Sequence, residues 1–127
     1  MPEGRILIAD DEDGLRWVLE KGFRGAGYQV TAVKDGAAAL REAEAQPFDL
    51  VLLDVRMPGL DGLSLLGLLK ERRPDAQVVI MTAHGTMETA IQAMQQGAYD
   101  YLAKPFDLDE ALLVRSEERR VGKECRL

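Results

Sequence analysis

Phe48 to Gly62 reads FDLVLLDVRMPGLDG. Leu50, Val51, Leu52 and Leu53 form a run without polar interruption, which fits a strand buried on both faces, and Asp54 follows at once. An ionised carboxylate emerging from such a core is costly unless it is paired, bound to a metal or used in chemistry.

Working outward, similar short apolar runs recur at Arg5–Ala9, Gln29–Val33, Gln77–Met81 and Tyr101–Ala103. Helical spacing fills the gaps between them. Leu15, Val18, Leu19, Phe23 and Ala26 mark a first helix that stops at Gly25-Ala26-Gly27. Asp35 is placed to cap an alanine-rich second helix reaching Ala45 and closed by Pro47. Leu63, Leu65, Leu66 and Leu69 mark a third, ending before Pro74, and Met87, Ala90, Ile91 and Met94 a fourth, stopping at Gly97. Asp107 is placed to cap a fifth. Five β/α repeats with continuous apolar strands predict an α/β fold, a doubly wound parallel sheet with helices on both faces. Right-handed crossovers at this length favour the flavodoxin-like order 2-1-3-4-5. The methionines at helical spacing are expected in the core, and Trp17, off its helix's apolar stripe, partly exposed.

The bulk properties agree with one domain. The chain has 127 residues, 46% of them hydrophobic and 30% charged, with net charge −6. No apolar run reaches membrane-spanning length and MPEGRIL does not read as a signal peptide, so a cytoplasmic protein is expected. The first 114 residues hold no basic cluster, which argues against nucleic-acid binding by this segment. Cys125 stands alone and cannot form an internal disulfide.

In such sheets ligands bind at the carboxyl ends of the strands, beside the switch in strand order. Strand one ends in Asp10-Asp11, strand three in Asp54, strand four in Thr82-Ala83-His84 and strand five in Lys104-Pro105. Strands one and three are expected neighbours, so three aspartates converge. Two unit charges about 4 Å apart repel by about 4 kcal/mol at an effective dielectric near 20, so a cation or a proton is needed. Oxygen-only ligands favour a hard cation such as magnesium. With a lysine and a hydroxyl nearby, the set suits phosphoryl transfer, and Asp54 is the candidate nucleophile.

These residues carry a resemblance. Asp10-Asp11, DVRMPGLDG, Thr82-Ala83 and Lys104-Pro105 resemble the receiver domain of two-component response regulators, over residues 5 to about 114. RWVLEKG, IMTAH and QQGAYDYLAKPFDLDEA are most similar to the nitrogen-regulator (NtrC) type of sigma-54-dependent activator. The resemblance implies that Asp54 accepts a phosphoryl group from a sensor histidine kinase. It implies that Asp11, Asp54 and the backbone carbonyl of Arg56 ligate Mg2+, with Asp10 acting mostly through water. It places Lys104 against Asp54 at rest and against a phosphoryl oxygen afterwards, with a cis Lys104–Pro105 bond. Thr82 would register the modification and Tyr101 would follow it, switching the surface of helix 4, strand 5 and helix 5, through which such receivers dimerise. Arg56, Ala83 and His84 would flank the phosphate and tune its lifetime. The only catalysis implied is on the domain's own aspartate. AAA+ and DNA-binding output domains controlling transcription would follow in such a protein and are missing here.

Other classes fit less well. A flavodoxin-like electron carrier needs a phosphate-cradling loop after strand one, where ADDEDG stands. An aspartate-nucleophile phosphohydrolase carries two aspartates in one strand-end motif and a separate cap region. The alternative kept open is a receiver-like interaction module that is never phosphorylated.

Residues 115–127 behave differently. They carry five basic and three acidic residues, leaving the preceding segment at net −8, and charges replace the apolar stripe after Val114. One permitted coding of Arg115–Cys125 looks like a widely used sequencing-library adapter over its whole length. The expectation is a receiver domain over 1–114, its fifth helix truncated, and a non-native tail over 115–127. Resequencing the genomic locus is expected to diverge after Val114; a locus encoding Arg115–Cys125 in frame would refute it.

Overall fold

A computed structural model describes residues 4–57, 59–82 and 87–113. Five strands and five helices alternate: β1 Arg5–Ala9, α1 Asp13–Gly25, β2 Gln29–Val33, α2 Gly36–Ala45, β3 Leu50–Asp54, α3 Gly62–Arg72, β4 Gln77–Thr82, α4 Met87–Gln95, β5 Asp100–Ala103 and α5 Leu108–Leu112. All four strand pairings are parallel and the order is β2-β1-β3-β4-β5, as expected.

Apart from Thr31 and polar residues at the strand ends, the strands are apolar throughout because both faces are covered, and side chains alternate between faces with period two. Leu7, Val51, Leu53, Val78 and Ile80 pack toward Leu65, Leu66 and Leu69 of α3 and Ala39 and Ala43 of α2. Ile6, Ile8, Leu50, Leu52, Val79 and Met81 pack on the other face with Leu19 and Phe23 of α1 and Ala111 of α5. Each fully buried Leu or Ile contributes roughly 1.5–3 kcal/mol.

Local signals fix the helix ends. Asp35 Oδ1 accepts from Ala38 N–H at 2.8 Å, the expected cap of α2, and Asp61 Oδ1 does the same for Ser64 N–H at α3. Asp107 occupies the N-cap position of α5 but makes no side-chain capping bond. Gly97, just past α4, has φ +103°, the left-handed conformation that ends a helix and favours glycine.

Two expectations about helix faces fail. Met57 and Met81 are buried, but Met87 and Met94 on α4 are 59% and 37% exposed, and Ile91 is exposed with them. The covered face of α4 is Ala90 and Ala93, small residues that leave the larger side chains at the margin. On α1, Val18 is exposed, because Leu19 and Phe23 alone reach the sheet. Trp17 is 60% exposed, with Lys21 Nζ 5.4 Å from its ring centroid. Residues 114–127, including the whole of the suspected tail, lie outside the described residues.

Candidate functional site

Parallel pairing brings the strand ends level. Ala9 lies opposite Leu53, Asp54 opposite Met81 and Thr82 opposite Ala103. The next residue on each strand therefore leaves the core at the same edge: Asp10 beside Asp54, and Lys104 beyond Ala103. Lys104 N–H donates to the Thr82 carbonyl at 2.7 Å, tying the lysine's backbone to the end of β4, and the Lys104–Pro105 bond is cis.

Oxygens of Asp10, Asp11 and Asp54 all lie within 4.8 Å of one another. Asp10 is fully buried and Asp54 nearly so, while Asp11 is exposed at the mouth. Asp10 Oδ1 accepts from Glu12 N–H at 2.8 Å, and Asp54 Oδ1 accepts a longer bond, 3.3 Å, from Arg56 N–H. Lys104 Nζ stands 3.0 Å from Asp10 Oδ2, 3.3 Å from Asp54 Oδ2 and 4.0 Å from Glu12 Oε1. Beyond that ion pair, Asp10 Oδ2 has no hydrogen-bond partner. The lysine expected against Asp54 thus bridges two aspartates and is nearer Asp10. Asp10, expected to work through water, is sealed from solvent on that side.

One ammonium against three carboxylates leaves an excess of negative charge. Burial, then the charge of Asp10, pushes the Asp54 carboxyl up to about 6, against the opposing pull of Lys104 and of Arg56 N–H. Burial works against the Lys104 ammonium, but the hydrogen bond and charge of Asp10 and the charge of Asp54 outweigh it, and its pKa lies above the usual 10.5. An all-oxygen donor set carrying an unbalanced double negative charge fits a hard dication. It does not fit a soft transition metal.

An open cavity of about 540 Å³ adjoins the carboxylates, lined by Asp11, Val55, Arg56, Met57, Gly59, Asp61 and Leu63. Its wall, the β3–α3 loop, is packed against main chain: a Cβ on Gly36 would collide with the Leu60 carbonyl, and one on Gly62 would lie 2.5 Å from the Asp54 carbonyl. Arg56 is exposed and contributes to this wall. Thr82 is buried at the end of β4, one residue past the partner of Asp54. Tyr101 is half-buried and lies outside the carboxylate cluster, lining a second groove of about 320 Å³ with Met87, Ala90, Ile91 and Met94 of α4. Ala83 and His84 lie outside the described residues.

Sequence reasoning did not single out Glu12 or Asp61. Glu12 was visible only as one more acid in ADDEDG, and its approach to Lys104 depends on the turn into α1. Asp61 does double duty, capping α3 and lining the cavity; its capping role was legible as an acid before an apolar periodic run.

The family described as the response regulator receiver domain matches residues 6–114. The DNA-binding transcriptional regulator NtrC of Escherichia coli (strain K12) is 47% identical over 112 residues, which cover 88% of this chain and 24% of that protein. This chain therefore spans about a quarter of the length of that relative. The receiver domain of NtrX from Brucella abortus superposes with a TM-score of 0.84 at 35% identity, covering 91% of this chain and 98% of that one. A response regulator from Burkholderia pseudomallei, solved with a phosphorylated aspartic acid, a calcium ion and citrate, superposes with a TM-score of 0.86 at 28% identity, covering 97% and 72%.

Proposed function

Because the chain belongs to the response regulator receiver domain family, with NtrC-type relatives, we propose that Asp54 is its phosphoacceptor. The donor is a phosphohistidine on a sensor histidine kinase. The observation that carries this reading is the pocket itself: a buried Asp54 held with Asp10 and Asp11 and shared by one lysine at 3.0–3.3 Å. A protein of the same fold with a phosphorylated aspartic acid and a calcium ion supports it.

An Asp54 carboxylate oxygen attacks phosphorus, the phosphorus–nitrogen bond to the donor imidazole breaks, and its electron pair stays on that nitrogen. Asp10, Asp11, Asp54 and the Arg56 carbonyl would hold Mg2+, which supplies positive charge against the phosphoryl oxygens when bound. Lys104 exchanges a carboxylate oxygen for a phosphoryl oxygen, a short movement because it already lies between two acids. Thr82 donates its hydroxyl to another phosphoryl oxygen, and the family positions occupied by Arg56, Ala83 and His84 tune the group's lifetime. Tyr101 follows Thr82 and passes the change to the α4 face, on which Met87, Ile91 and Met94 stand exposed. That face mediates self-association and controls the AAA+ and DNA-binding domains that complete an NtrC-like regulator. The domain is a switch whose only catalysis is on its own aspartate. No described helix is long and apolar enough to cross a membrane.

The test is intact mass after exposure to a small-molecule phosphodonor with Mg2+. One phosphoryl group is expected on the native chain and none on Asp54→Asn or in the presence of chelator. A folded native chain that gains no mass would instead indicate a phosphorylation-independent interaction module.

A further inference from the structure

Arg16 has no part in the chemistry above, yet it is the side chain that closes the β1–α1 turn. Its guanidinium folds back from the first turn of α1: Nη1 donates to the Asp10 carbonyl at 2.7 Å and Nη2 to Asp13 Oδ1. The side chain is only 19% exposed. The same turn is also held by Asp10 N–H to the Val33 carbonyl at 3.1 Å, Glu12 N–H to Asp10 Oδ1 at 2.8 Å, Arg16 N–H to the Glu12 carbonyl at 3.0 Å and the Lys104 ion pair with Asp10. Asp11 sits between these anchors.

We propose that Arg16 is the positioning residue of the acidic pocket, holding the Asp10–Asp13 turn so that Asp10 and Asp11 face Asp54. The proposal rests on the reading of that pocket as a divalent-cation site. Charge alone gives the opposite expectation. A guanidinium bonded to the turn that carries Asp10 and Asp11 repels an incoming dication, so a purely electrostatic Arg16 would weaken cation binding. As a clamp it strengthens binding, because the carboxylates are held together before the ion arrives. Two charge-assisted bonds from one planar group suit arginine and cannot both be reproduced by lysine.

The sign of the effect separates the two accounts. Mg2+ affinity would be measured calorimetrically on the native chain, Arg16→Ala and Arg16→Lys, with folding checked by circular dichroism. The exposed Trp17, next in sequence, gives a second, fluorescence readout of the turn. Arg16→Ala and Arg16→Lys are each expected to bind Mg2+ about tenfold more weakly, the scale of losses when a group supporting metal ligands is removed. Unchanged or tighter binding by folded Arg16→Ala would overturn the clamp. If that variant does not fold, Arg16→Lys decides: it keeps the charge, so native affinity overturns the proposal and weaker binding supports it. A native chain that binds no Mg2+ would instead remove the reading of the pocket on which the proposal stands.

Discussion

Asp54→Asn is expected to stabilise the metal-free domain by about 3 kcal/mol above pH 7. The Asp54 carboxyl is held near 6 in the folded protein against 3.8 for the free group, and each pK unit corresponds to about 1.4 kcal/mol. Its folded value is raised, so the folded state holds the proton more tightly than the unfolded chain. The contribution of this group to stability therefore falls as pH rises from about 4 to about 6, and the full penalty persists above that. Asparagine keeps the shape and removes the charge. Denaturant unfolding in chelator should show a gain at pH 8 that shrinks toward zero near pH 4. Equal midpoints at pH 8 would mean that Asp54 is not electrostatically strained.

Lys104→Met should move stability in the opposite direction, by at least about 3 kcal/mol at pH 8 without metal. Removing one partner of a buried ion pair typically costs about 3–5 kcal/mol, because it strands the other charge, and here it strands two. The lower figure applies because a proton can take the place of the lysine on the Asp10–Asp54 pair. Lys104 itself has a raised pKa, so its contribution is fully present below 10.5 and is lost only as pH rises through that higher value. Between pH 5 and 9 the pH dependence of the variant should then come from the carboxylates, and acidification should recover part of the loss. Added Mg2+ should recover it too. Combining the two substitutions should give a chain more stable than Lys104→Met by more than Asp54→Asn gains alone, the non-additivity expected of residues in one ionic network. Simple additivity, measured in the same unfolding series, would break the link between them.

Much of the frame was legible because parallel strands buried on both faces leave an uninterrupted apolar signal. Arg5–Ala9 and Gln29–Val33 come out with the expected bounds, and β3 extends by only one residue, to Asp54 itself. The convergence of Asp10, Asp11 and Asp54 followed from strand order alone. What periodicity could not tell was which apolar face would be covered. Met87, Ile91 and Met94 recur at helical spacing, yet α4 meets the sheet through Ala90 and Ala93, whose small side chains let it lie close. Nor could sequence divide Lys104 between two aspartates, because a difference between 3.0 and 3.3 Å is set by packing. The return of Arg16 to the Asp10 carbonyl left only a faint trace, the three-residue spacing from Asp13.

The close approach of Gly36 and Gly62 to the β3–α3 loop has a consequence for how such a domain can diverge. The loop beside the carboxylates is shaped by contact with main chain as well as by its buried side chains, so its course does not depend on the ones it exposes. Arg56, exposed on that frame, is then like an exchangeable tile, whereas Met57 is sunk in the core and Val55 and Leu63 pack against it. The exposed entrance can therefore change its chemistry while the Asp54 carboxylate stays where it is, provided two positions never acquire a side chain.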